Sequence, residues 1–559
     1  MKSLYIHPTK FIFLVKEGVY LPMFPNFHFS NSSVSLCSSA NNFYMGKKLP
    51  LGLQDFRKII ENDFKYIDKT EYIYRMVSKP GAYFLSRPRR FGKSITVAVL
   101  QELYSGSKEL FRGLWIEDKW DWSRKHPVIR LSFTGIGFAE SGLPKAMHYQ
   151  LDKLIREHGL PPANEANLSA KFEYLIQELG KVNRVVVLID EYDAPIIHFL
   201  GKDVVKAHEN RETLREFYSV LKNNDPALEF VFLTGVSKFS KVGIFSGLNN
   251  LTDLTMQSDF ATMLGYTQAE LESNFAEEIE AVSIQLKMTR TELLDKMRLW
   301  YNGYRFHVNS ETVYNPVSTN LFFNQKEFDN FWFATGTPTF LINLLKQEGL
   351  YDIEHQEHAQ LDFDSFDLED LRAYGLLYQT GYLTIKSRNE FGLYILDYPN
   401  HEVKNSMYAY LLEAFGGVRK GQGLVVAVQL ERAFYANDLE QVIRILQAMF
   451  KGLPHLLHEK YPEKFFHAAI HLLFKYMGLR VQSEVMMSDA RADCVVETDV
   501  HVYILEFKLD KSAQVALEQI KLKKYHQAYW EKGKKMIGVG VNFSSETKNI
   551  EDWVEEELG

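Results

Sequence analysis

Four short apolar runs, each nearly unbroken, constrain this chain more than any other feature: residues 82–85, 128–133, 185–189 and 230–233. A strand that is apolar on both faces must be covered on both faces, as happens in a parallel sheet between layers of helix. Helical pattern falls between the runs, for example at 94–104 and 170–179. The alternation predicts an α/β domain with a parallel sheet. Downstream, 256–420 reads as mainly helical, a lid or winged-helix-like region, with capping boxes starting at Thr267 and Thr289. Residues 421–457 read as a helical connector, and 462–544 runs helix, strand, strand, strand, helix, strand.

The expected divisions are 1–44, 45–255, 256–420, 421–457 and 458–559. The first segment is poorly patterned and holds the Ser/Asn-rich stretch 30–35. Met45 is a candidate translation start, and a genuine extension is the alternative.

A chain of 559 residues with 46% hydrophobic and 24% charged residues is folded protein of two to four domains. Its net charge of −7 gives no whole-chain basic field, so nucleic-acid contact would need a local patch. Cys37 and Cys494 stand alone, which excludes a disulfide framework or a cysteine zinc site and fits a cytoplasmic protein. The early apolar run 11–15 is cut by Lys16 and Glu17, too short for a membrane span.

The first apolar run leads into Ser86-Arg87-Pro88-Arg89-Arg90-Phe91-Gly92-Lys93-Ser94, and a helix follows. Gly92-Lys93-Ser94 has the chemistry of a phosphate-binding loop. The glycine admits backbone to phosphate oxygens, the lysine reaches the outer phosphates, and the serine hydroxyl ligates Mg²⁺. Arg90 and Phe91 complete the candidate loop, while Arg87 stands where the usual pattern has its first glycine. Arg87, Arg89 and Arg90 either neutralise triphosphate charge or form a solvated basic face. The run 185–189 ends in Asp190-Glu191, which suits Mg²⁺ binding by Asp190 and polarisation of the attacking water by Glu191. Thr234, ending the fourth run, suits a sensor, and Lys238 follows as a further candidate contact; a plain strand-to-loop turn is the alternative.

Residues 493–508 read as a hairpin turning at Asp499-Val500, which sets Asp493 opposite Glu506. Side chains alternate along a strand, so Glu506 and Lys508 share one face. Two carboxylates and an ammonium converging there suit metal-dependent phosphodiester hydrolysis, with Mg²⁺ or Mn²⁺ on Asp493 and Glu506 and with Lys508 steadying the developing charge. Glu463, on the core side of the helix from Pro462, is a candidate third carboxylate. An edge hairpin with ordinary charges is the competing reading.

The loop quoted above, with Leu188-Ile189-Asp190-Glu191-Tyr192-Asp193-Ala194-Pro195, the segment 234–241, Tyr66-Ile67-Asp68-Lys69-Thr70, Tyr301-Asn302-Gly303-Tyr304-Arg305-Phe306 and Tyr314-Asn315-Pro316, resembles the bacterial AAA-ATPase-like family. In that family the Arg-Pro-Arg-Arg-Phe loop is usual. From Glu463 to Phe543 the chain resembles the PD-(D/E)XK nuclease domain that accompanies it, through Arg491-Ala492-Asp493, Glu506-Phe507-Lys508 and Gln519-Ile520. Ala490 departs from a glycine common there. The resemblance implies an AAA/STAND-like P-loop sheet and a restriction-endonuclease-like αβββαβ domain, with ATP and Mg²⁺ as cofactors. Lys521, Lys523, Lys524 and His526 either touch a phosphate backbone or form a solvated helix face.

The function expected is an ATPase that regulates a metal-dependent nuclease, DNA being the favoured substrate. The alternative is a nucleotide-switched scaffold whose tail binds nucleic acid or protein without cutting. A homo-oligomer is left open.

Overall fold

The computed structural model describes residues 4–6, 12–14 and 47–558, apart from 165–166, 239–243, 246–247, 249, 333–338, 366–367, 417–420, 452–461, 481–483, 487–492 and 526–532. Residues 1–46 form a unit of their own, in which strands β1 (Leu4–Ile6) and β2 (Ile12–Leu14) pair antiparallel. The remainder of 1–46, including Met45, lies outside the described residues.

The apolar runs form the expected sheet. Strands β3 (Gly81–Ser86), β4 (Val128–Ser132), β5 (Val185–Asp190), β6 (Leu228–Gly235) and a short β7 (Leu251–Asp253) lie in the order β4-β5-β6-β3-β7, all parallel. All six residues of β5 are buried, which is why its sequence lacks alternation. Helix α1 (Lys93–Ser105) follows β3 directly. On edge strand β4 two outward carbonyls are taken by side chains from helix α2 (Leu143–Glu157) and its end: Gln150 Nε2 donates to Ser132 O at 3.0 Å and the His158 ring to Val128 O at 3.3 Å. Plugging an open edge in this way discourages strand addition.

Both capping boxes form, at Thr267 with Glu270 and at Thr289 with Glu292. Helix α3 (Pro316–Gln325) starts on an Asn315 cap with proline at its first turn. The mainly helical region also holds a small antiparallel sheet that the sequence did not reveal. In it, β8 (Gln356–His358), β9 (Thr384–Arg388) and β10 (Tyr394–Asp397) take the order β8-β10-β9. Helices α4 (His401–Gly416), α5 (Gly423–Tyr435) and α6 (Leu439–Lys451) complete it.

Helix α7 (Pro462–Arg480) opens the C-terminal part. Its described side chains Ala468, Ala469, Leu472, Leu473, Phe474 and Met477 are all buried, a wider apolar surface than one stripe. Strands β11 (Glu484–Met486), β12 (Cys494–Glu497) and β13 (His501–Leu509), helix α8 (Ala513–Lys523) and strand β14 (Lys535–Ser544) appear in the expected order. An additional strand, β15 (Asn549–Glu557), forms the far edge of the sheet β11-β12-β13-β14-β15. Its Glu551, Asp552, Glu555, Glu556 and Glu557 are exposed, and like charge along an edge opposes aggregation. Only β13 and β14 are parallel. One face of β12–β13, with Val496, Tyr503 and Leu505, joins the apolar core that extends from the parallel sheet through α4–α7. The other face, with Val495, Val502 and Ile504, packs on Leu517 and Ile520 of α8.

Gly540 of β14 sets how closely α8 can lie. A Cβ there would sit 2.2 Å from Ala513 O and 2.8 Å from Leu517 N, both backbone atoms that cannot swing aside. Gly540→Ala is expected to cost about 1–3 kcal/mol through overpacking, seen as a lower Tm by circular dichroism; an unchanged Tm would mean that α8 stands off the sheet.

Candidate functional site

The loop after β3 takes its shape from tertiary contacts more than from glycine. Gly92 (φ 101°) and Arg90 (φ 67°) are left-handed, a conformation in which only the glycine is unstrained. The Phe91 ring is buried, edge-on to Tyr304 at 4.8 Å and to Phe306 at 5.5 Å. Arg87 does not join a basic cluster facing phosphate. Its guanidinium is buried, donates to Thr255 O at 2.7 Å and Phe260 O at 3.1 Å, and lies 4.1 Å from the centre of the Phe306 ring. Burial draws its pKa down to about 10. Arg89 and Arg90 do line the cleft above the loop, together with Gly92, Lys93, Ser94 and Glu191. That cleft has a volume of about 1230 Å³, and Leu53, Tyr266 and Asn320 also line it.

Lys93, at the first position of α1, is 5% exposed and donates to Arg87 O and Pro88 O, each at 2.9 Å. Burial lowers its pKa, while Glu191, Asp190 and Asp193 pull it back up. The Ser94 side chain favours the charged form of the Asp190 carboxyl at the end of β5, and among the described residues Asp190 Oδ1 is buried without a partner. The sequence-predicted trio Lys93, Ser94 and Asp190 therefore meets. Glu191 has φ 52°, and its carboxylate accepts a hydrogen bond from the Thr134 hydroxyl.

Two candidates lie elsewhere. Thr234 is fully buried and donates to Leu85 O at 2.8 Å, so its hydroxyl ties β6 to β3 and does not enter the cleft. Lys238 is drawn to acids of its own, Asp253 at 2.8 Å and Asp364 at 2.7 Å, and fastens the end of β6 to β7 and to the stretch between β8 and β9. Asp193 was missed. Buried, it accepts from Ser237 N at 2.6 Å and Val236 N at 3.1 Å, joining the end of β5 to that of β6. A third acid so close behind Asp190-Glu191 was the available signal.

At the C-terminal site the hairpin takes the expected register, with Cys494 opposite Leu505 and Glu497 opposite Val502. Asp493 Oδ2 accepts from Phe507 N at 2.8 Å, beside Glu506. Glu506 is 1% exposed, and its Oε1 accepts from Lys508 Nζ at 2.8 Å and from the Gln519 amide of α8. Among the described residues Glu506 Oε2 is buried without a partner. Asp493, Glu506, Lys508 and Gln519 are thus assembled. The side chains of Glu463, Arg491, Ala492 and His526 lie outside the described residues. Lys521 pairs with Glu556 at 2.5 Å, while Lys523 and Lys524 are exposed. Among the described residues no three His, Cys, Asp or Glu side chains form a metal-holding group. The orphaned oxygens of Asp190 and Glu506, each beside further oxygen donors, nevertheless suit a hard divalent cation.

The family profile described as "Predicted AAA-ATPase" matches residues 50–245, and that of the PD-(D/E)XK nuclease superfamily matches 461–553. An Azotobacter chroococcum protein, "Uncharacterized protein in vnfD 5'region", is 37% identical over 534 residues, covering 92% of this chain and 99% of its own length. The chain belongs to the predicted AAA-ATPase family with a C-terminal PD-(D/E)XK domain. Solved structures resembling this AAA-ATPase-family protein include a Walker-type ATPase of Pyrococcus abyssi, 14% identical, covering 61% of this chain and 96% of that one at a TM-score of 0.29. The Aeropyrum pernix Orc1 protein in complex with DNA is 12% identical, covering 63% and 95% at a TM-score of 0.24. No helix among the described residues of the family member is long and apolar enough to cross a membrane.

Burial holds the carboxyls of Asp190 and Glu506 above their ordinary pKa. An acid with a raised folded pKa binds its proton more tightly folded than unfolded. Its charge therefore costs stability as pH rises past the unfolded pKa, and the cost is complete above the folded one. A cation on those oxygens offsets the cost but must first displace the proton. Mg²⁺ is expected to raise Tm more at about pH 7.5 than at about pH 5, and Asp190→Asn with Glu506→Gln should remove the difference. Equal Mg²⁺ shifts at both pH values in a thermal-shift assay would contradict this.

Proposed function

We propose that this AAA-ATPase-family protein binds and hydrolyses ATP, and that its nucleotide state regulates phosphodiester cleavage of nucleic acid, DNA first, at the C-terminal domain in the cytoplasm. The observation that carries the reading is that one chain assembles two lysine-and-carboxylate sites, each with an orphaned buried oxygen: Lys93 with Ser94 and Asp190, and Lys508 with Asp493 and Glu506.

Ser94 with Asp190, and Asp493 with Glu506, would hold divalent cations, Mg²⁺ at both sites or Mn²⁺ at the second, which when bound would neutralise phosphoryl charge and acidify a water. At the cleft, Lys93 exchanges the carbonyls of Arg87 and Pro88 for the outer phosphates, with backbone N–H groups at the start of α1 as further donors. Ser94 and Asp190 supply oxygen ligands. Glu191, once free of Thr134, accepts a proton from the attacking water. At the C-terminal site Asp493 and Glu506 are the ligands, Lys508 steadies charge on the phosphate, and Gln519 holds the Glu506 carboxylate in place. A second reading, a nucleotide-switched scaffold that does not cut, is favoured by the Thr134 bond that occupies Glu191.

Lys93→Ala should abolish ATP hydrolysis, and Asp493→Ala should abolish metal-dependent cleavage. Gln519→Ala should slow cleavage by about 10–100-fold, as expected for a group that orients a ligand. Assays of purified protein on single- and double-stranded DNA and RNA, with and without ATP, decide it. Equal cutting by wild type and Asp493→Ala removes the nuclease reading, and ATP retention without turnover selects the scaffold.

A further inference from the structure

Phosphate loop and C-terminal domain are joined by a continuous chain of close contacts, and its narrowest link is one buried carboxylate. Phe91 of the loop packs on Tyr304. Beside Tyr304, Gly303 (φ 112°) lies so close to the residue before Asn400 that a Cβ would meet Pro399 O at 1.9 Å. Helix α4 begins two residues after that proline. Its first turn carries Glu402, which is fully buried and accepts from Trp332 N at 2.7 Å and Ser318 Oγ at 3.1 Å. Burial pushes the Glu402 carboxyl up to about 7. Two residues on, in the same first turn, Lys404 forms an ion pair with Glu354.

Glu354 stands on the segment before β8, outside both motif-bearing sites, and its side chain is 6% exposed. Its other oxygen accepts from Lys475 Nζ at 2.8 Å, and Lys475 belongs to α7, the helix that opens the C-terminal domain. Burial alone would raise this carboxyl, yet Lys404 and Lys475 hold it down to about 2, so it stays charged at any working pH. A buried carboxylate shared by two ammoniums tolerates little change of geometry, because displacing either helix leaves a charge uncompensated in an apolar setting. Helices α4 and α7 are packed along each other, so the bridge also fixes their register.

We infer that Glu354 is the tie through which nucleotide at the phosphate loop reaches the C-terminal domain. Triphosphate settling on the loop presses Phe91 on Tyr304, the tight Gly303–Pro399 contact carries the shift to the start of α4, and Lys404 passes it through Glu354 to Lys475 and α7. The inference rests on the proposed nucleotide-regulated reading and names the residue that carries the regulation. A coupled pair of sites needs an element whose arrangement both of them bias, and here it is the α4–Glu354–α7 bridge.

Hydrogen exchange by mass spectrometry on the full chain, with Mg·ATPγS as probe, tests it. In wild type, exchange should slow in peptides covering 85–100 and change in peptides covering 468–478. In Glu354→Gln the first response should persist and the second disappear. Lys475→Met, which leaves the Lys404–Glu354 pair intact, should behave alike and covers the case in which Glu354→Gln fails to fold. Glu354→Asp should restore part of the distal response. A 468–478 response as large in these variants as in wild type overturns the inference, as does its absence from wild type when 85–100 responds. Silence at 85–100 in wild type defeats nucleotide binding itself, and the inference falls with it.

Discussion

A guanidinium buried without a carboxylate partner is an expensive thing to fold around, and among the described residues Arg87 is held in that state. Thr255 and Phe260 supply carbonyl oxygens and Phe306 supplies the face of its ring, so two further stretches of chain must be in place before the charge is tolerated. Arginine can occupy such a position because its planar, weakly hydrated group both stacks and donates. With Phe91 lodged against Tyr304 and Phe306, the phosphate loop is gripped at both ends by segments from beyond the parallel sheet. Its conformation belongs to the sheet and the helical region together.

The polar links around the cleft follow the same logic. Asp193 gathers the backbone of Val236 and Ser237, so the ends of β5 and β6 are set relative to each other, and Lys238 carries the connection onward to Asp253 and Asp364. Lys93 meanwhile rests on carbonyls of its own loop. Groups that a phosphate would engage are thus already positioned, and among the described residues Asp190 and Glu506 each keep one buried oxygen without a donor.

Sequence pattern revealed what local periodicity controls. Strands β3 to β6 were legible because both faces are covered and their runs stay apolar. The β12–β13 register was legible because a two-residue turn and a period of two leave one way to pair the strands, and that pairing puts Glu506 and Lys508 on the face of α8. Helix starts at Thr267 and Thr289 were equally local. Strand β7 is three residues long, and β15 carries five exposed acids where an apolar alternation would have announced it, so neither gave a signal. The directions of Arg87, Thr234 and Lys238 depend on partners distant in sequence, among them Phe306, Leu85 and Asp364. No spacing rule encodes those.

Arg87 is a post that shapes the loop, in the place where similar loops use glycine. Isothermal titration of Mg·ATP onto Arg87→Gly separates the two views, because that change brings the loop nearer the usual glycine pattern. The account predicts binding weakened about tenfold or more, equivalent to about 1.4 kcal/mol, with the fold retained by circular dichroism. Binding as tight as wild type, or tighter, would contradict it.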